Sequence, residues 1–67
     1  MSVAKVTEII CSSTISFDDA IKQGVTRACK TLKGVTGVWV QDQKATVNDG
    51  VIGEYRVALK VTFILNE

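Results

Sequence analysis

The chain has no histidine and no proline among its 67 residues. Histidine is the side chain that most often moves protons near neutral pH, so acid–base chemistry here would fall to carboxylates or amines. Cysteine is scarce: Cys11 and Cys29 stand far apart, with no CxxC spacing. They offer neither a zinc ligand set nor a disulfide framework, and both read as buried free thiols acting as small hydrophobes. No run approaches the roughly 20 apolar residues that cross a bilayer. The start Met1-Ser2-Val3 has no secretory apolar region, so the expectation is a cytoplasmic protein with no membrane partner. A charge surplus is missing too. Eight Lys or Arg against seven Asp or Glu leave a net charge of +1, with the basic residues scattered. Nucleic acid, whose generic binding needs a concentrated basic patch, is therefore not expected as a partner.

Apolar side chains, by contrast, are plentiful for so short a chain, at 46% of residues. A chain of this length makes one domain, here expected over 1–67, and buries only about 60% of its unfolded surface on folding. Small size and surplus apolar surface are reconciled if copies of the chain cover one another.

The longest pattern is a strand over Gly53 to Leu65. Side chains on a strand alternate faces, so Tyr55, Val57, Leu59, Val61, Phe63 and Leu65 form an apolar row and Glu54, Arg56, Lys60 and Thr62 a polar one. A first strand is expected over Val3 to Cys11, partly apolar on both faces, with Ser12, Ser13 and Thr14 breaking it. A helix follows. Ser16 is placed to cap it, Asp19 to close a reciprocal capping box, and Asp18 and Asp19 face the positive end of the dipole. Phe17, Ala20, Ile21, Val25, Ala28, Cys29 and Leu32 recur at helical spacing, with Gly24 on the same stripe and Gly34 as the stop. Gly24 inside a helix signals a close approach to the sheet or to a neighbour.

A second strand spans about Val35 to Val47 with weaker alternation. One face carries Thr36, Val38, Val40, Asp42, Lys44 and Thr46, the other Gly37, Trp39, Gln41, Gln43, Ala45 and Val47. Asn48-Asp49-Gly50 is a hairpin turn signature. The resulting fold class is α+β, with β-α-β-β order and a three-stranded antiparallel sheet in the order 1-3-2, partly wrapped around one helix. The helix stripe of Phe17, Ile21, Val25, Ala28 and Leu32 should lie on the apolar row of the third strand. The other sheet face, bearing Trp39, Arg56 and Lys60, has no cover from its own chain.

Catalysis finds little support in these residues. Asp18 and Asp19 are explained as helix-capping charges, and Asp42, Asp49 and Glu54 lie on or near an exposed hairpin. Arg56 and Lys60, on one strand face, could receive a phosphate or carboxylate, or could pair with Glu8 or Glu54. Gly34-Val35-Thr36-Gly37 lacks the spacing of a phosphate loop. Trp39 is either an interface anchor or a flat stacking surface for a ligand.

Lys5-Val6-Thr7-Glu8-Ile9 before Ser12-Ser13, then Ser16-Phe17-Asp18-Asp19-Ala20-Ile21, Arg27-Ala28, Lys30-Thr31-Leu32, Asp49-Gly50 and Glu54-Tyr55-Arg56-Val57-Ala58-Leu59-Lys60-Val61-Thr62-Phe63 resemble the dodecins. The resemblance covers almost the whole chain. It implies a hollow homododecamer with cubic symmetry and a non-enzymatic role: binding and storage of flavin, either riboflavin or FMN, in stacked pairs near symmetry axes. It also leaves an alternative, a dodecameric scaffold that holds another anion, coenzyme A or a metal ion such as calcium. In flavin-binding members a tryptophan stacks on the isoalloxazine and a glutamine of the third strand bonds its polar edge. Without a gap, these positions are Gly37 and Arg56 here. The resemblance therefore implies a site of Trp39, Arg56, Gly37 and Gln41, with Trp39 stacking from two residues further along the same strand.

Overall fold

The structure, a computed structural model, describes residues 2–65. Its elements are β1 (Ala4–Ser13), α1 (Phe17–Thr31), β2 (Val35–Asn48) and β3 (Val51–Ile64). The three strands form one antiparallel sheet in the order β1-β3-β2, as the α+β reading expects. A two-residue turn joins β2 to β3. Asp49 and Gly50 both take positive φ, at 51° and 75°, which suits the right-handed twist of a tight hairpin.

Ser12 and Ser13 do not break β1 as expected; they continue it, opposite Arg56 and Tyr55. Ser13 then ties the strand to the helix. Its buried hydroxyl donates to Asp19 Oδ2 at 2.6 Å and accepts the Ile15 and Ser16 backbone N–H groups at 2.9 and 3.5 Å. Ser16 caps α1 as expected, its Oγ accepting the Asp19 N–H at 3.0 Å. The other half of the expected box is corrected. The Asp19 carboxylate accepts from Ser13 and from Gln23 Nε2, while Ser13 serves the Ser16 N–H in its place. At the far end Leu32 turns extended, and Gly34, two residues on, takes φ 75° and accepts the Ile64 N–H at 3.0 Å.

Val57, Leu59 and Val61 of the central strand are each 0% exposed, at the middle of the core. Burying such side chains contributes about 1.5–3 kcal/mol each. The helix meets them with the expected stripe: within it the small Ala20, Gly24 and Ala28 lie deepest, with Phe17, Ile21 and Leu32 half-buried beside them. Small side chains let the helix lie close, and the branched residues of β3 fill the space. Phe17 packs edge-on against Tyr55, with ring centroids 5.0 Å apart. Leu65, expected at the end of the apolar row, lies past β3 and is exposed.

Helix and hairpin differ in length. Fifteen helical residues span about 22 Å, and the fourteen of β3 about 46 Å. Val47, Val51 and Ile52, at the hairpin end, stay exposed.

The two thiols also part company. Cys11 is buried in the core, and burial pushes its pKa up. Cys29, expected to be buried, is exposed because it follows core-facing Ala28 and so points about 100° away around the helix. A thiol-reactive disulfide reagent is therefore expected to label Cys29 in the folded protein and Cys11 only after denaturation, read as released chromophore per chain. Two thiols reacting together without denaturant would contradict this core.

Candidate functional site

On β3 the side chains opposite the core are Arg56, Ala58, Lys60 and Thr62. Directly paired residues of neighbouring strands share a face, so the register assembles the rest of this surface. Ser12 and Lys44 flank Arg56, Ile10 and Asp42 flank Ala58, Glu8 and Trp39 flank Lys60, and Val6 and Gly37 flank Thr62. No helix covers it. Ile10 is 72% exposed and Trp39 63%, a large apolar offering on an open sheet.

The two-face assignment expected along β2 fails at Gln41. The ladder passes from Val40 opposite Leu59 to Asp42 opposite Ala58, leaving Gln41 as an extra residue at a bulge. Every residue beyond it changes face. Asp42 and Lys44 thereby join Trp39 and Gly37, while Gln43 and Ala45 move to the core side, opposite Val57 and Tyr55. A second irregularity near the hairpin end is stabilised by Thr46, whose Oγ1 accepts the Glu54 N–H at 2.9 Å.

Charges on the open face are mostly matched. Arg56 Nη2 lies 3.1 Å from Glu54 Oε1, and Lys44 Nζ 3.9 Å from Asp42 Oδ2. Lys60 behaves otherwise. Its ammonium lies 5.2 Å from the centroid of the Trp39 ring, a cation held on the indole's negative face. At an exposed position such a contact contributes about 0.5–1 kcal/mol. Sequence spacing had no means of showing it, since the partners meet only across the β2–β3 ladder.

Of the implied site residues, the structure brings Trp39 and Gly37 together on one face, with Arg56 further along the same face. Gly37 has open space around it: among the described residues a Cβ there would meet nothing within 4 Å. Gln41 is exposed at the bulge, outside the ladder. None of the four lines the groove of about 570 Å³ between α1 and β1 that includes Ile9, Cys11, Gly24, Arg27 and Leu32. A groove alone is weak ground for a site. A flat ligand on a sheet surface needs no concavity within one chain when a second copy closes over it.

The family model described as Dodecin matches residues 3–66. This chain belongs to the dodecin family. Its similarity to the dodecin of Thermus thermophilus is 32% identity over 65 residues, covering 97% of this chain and 94% of the relative. Among solved structures, the dodecin of Streptomyces davaonensis is 35% identical with a TM-score of 0.93, covering 98% of this chain and 97% of the other. The calcium dodecin of Mycobacterium tuberculosis, a calcium-chelating antigen, is 33% identical with a TM-score of 0.84, covering 97% of this chain and 93% of the other. As a dodecin, the chain is a non-enzymatic, flavin-binding storage protein that assembles as a homododecamer. Among the described residues, no helix is long and apolar enough to cross a membrane.

Proposed function

We propose that riboflavin or FMN stacks on Trp39 at a junction between copies of the chain, within the cytoplasm, each copy being one dodecin-like domain over 1–67. The supporting observation is an indole 63% exposed on an uncovered sheet face, beside a glycine with open space around it. Arg56 stands four residues along β3 from Lys60, about 13 Å away. A ring lying along the strand from Trp39 points its polar edge toward that guanidinium. Arg56 can keep one N–H on Glu54 and give others to flavin carbonyls, because it has five donors. Gly37 leaves room for the ring, and Gln41, freed from the ladder by the bulge, supplies an amide at the margin.

The calcium reading has less support. Asp42 and Glu54 are each already on a cation, and among the described residues no group of three or more potential metal ligands comes together.

Because Trp39 is the chain's one tryptophan, its fluorescence reports this site alone. Titrating the assembled protein with riboflavin should quench both the indole and the flavin, saturably. Replacing Trp39 by Ala should weaken binding roughly two- to tenfold, the range for a lost aromatic stack, with the particle unchanged by sedimentation. Loss of assembly in that variant would assign Trp39 to the interface instead. Absence of quenching in the parent protein would end the stacking reading.

A further inference from the structure

The open face carries three cations, and they differ in how their charge is balanced. Among the described residues the ion pairs are Glu54 with Arg56 and Asp42 with Lys44. Lys60 has no such carboxylate. Glu8 is its ladder partner on β1, yet the Lys60 ammonium lies across the other neighbour, on the Trp39 ring. The stacking surface therefore carries a positive charge of its own, whereas the two charges further along the face are largely cancelled.

A ring stacking on the indole must take the face that Lys60 leaves open, or displace the ammonium to the indole's edge. In either case the ammonium ends within reach of the bound ligand. An uncharged ligand gains nothing from it. A ligand with an anionic group on a flexible arm can bring that group to Lys60, whose four-carbon stem lets the ammonium follow.

We propose that Lys60 is a specificity-determining residue, which makes this site favour a flavin bearing a terminal phosphate over the uncharged riboflavin. The proposal rests on the Trp39 stacking reading above.

Riboflavin and FMN share the ring and differ at the phosphate, so parallel titrations isolate the effect. In the assembled parent protein at low ionic strength, FMN is expected to bind roughly fivefold more tightly than riboflavin, the upper end for an exposed ion pair. Lys60→Met keeps the length and apolar stem but removes the charge. It should bring the ratio close to one by weakening FMN, with riboflavin affinity little changed, and Lys60→Arg should restore the preference. Raised salt should reduce the parent's ratio in the same way. Equal affinities in the parent, or a ratio that survives Lys60→Met and disappears in Arg56→Gln, would overturn the assignment while leaving the stacking site intact. Failure of both flavins to bind would remove the stacking reading, and this one with it.

Discussion

Gly24→Ala is expected to destabilise the protein by about 1–3 kcal/mol, the range for overpacking a filled core. Helix propensity alone argues the opposite, since alanine favours a helix interior by about 1 kcal/mol over glycine. The surroundings decide the sign. A Cβ on Gly24 would overlap Cys11 Sγ, and it would also press on Leu59 Cδ1 at 3.2 Å and Cys11 Cβ at 3.3 Å. Leu59 is fully buried in the central strand, so it has little freedom to withdraw.

The cause can be separated from a general intolerance of the helix by a double-mutant cycle. Cys11→Ala removes the sulfur that the new methyl group would strike. In that background Gly24→Ala should cost less than in the parent, with a coupling within the ~0.5–3 kcal/mol found for residues in contact. Urea midpoints at one fixed chain concentration measure it, because an assembled protein's apparent stability depends on concentration. Additive losses, or a single variant more stable than the parent, would mean that helix and sheet are not packed this closely.

The same residue shows what the sequence could reveal. A glycine on the apolar stripe of a helix declares a close approach, but not its partner. Cys11 lies on another element, and its role as the opposing surface emerges only from packing. The strand order was readable because a helix crossover and an Asp-Gly turn leave few topologies for β-α-β-β. The Tyr55-to-Phe63 row was readable because β3 keeps strict alternation. β2 was harder. Its extra residue at Gln41 inverts the faces beyond it, so Asp42 and Lys44 reach the site face although alternation from Trp39 puts them on the other side. Its weak alternation was the trace of that bulge, without a location. Lys60 on Trp39 was illegible for a related reason: the contact crosses a ladder whose register the bulges set.

Those register facts make one substitution experiment informative about the ligand. Introducing tryptophan at Gly37 together with Arg56→Gln is expected to tighten riboflavin binding. Gly37 faces the same side as Trp39, opposite Thr62, without the positive φ that would strain a larger residue. A side chain enters open space there, since none of the described residues lies within 4 Å of the added Cβ. Strands also favour an aromatic residue over glycine. The glutamine replaces a charged donor with an amide that donates and accepts. Its cost is the exposed Glu54–Arg56 pair, about 1 kcal/mol at most.

An added aromatic stack contributes about 0.5–1.5 kcal/mol and a neutral hydrogen bond about as much, so the gain should be roughly fivefold to 150-fold. Quenching of flavin fluorescence is the appropriate readout, because the variant's second indole complicates the protein signal. Combining the pair with Trp39→Ala then assigns the stacking position. A gain that persists without Trp39 means that the dodecin framework holds flavin from the residue-37 position, and that Trp39 serves in this chain as a displaced substitute. A gain that needs Trp39 means that both indoles contact one ligand across their shared face. If the double substitution leaves affinity unchanged while the particle remains intact, the face around Gly37 and Thr62 is not where this protein meets flavin, and stacking at Trp39 loses its structural support.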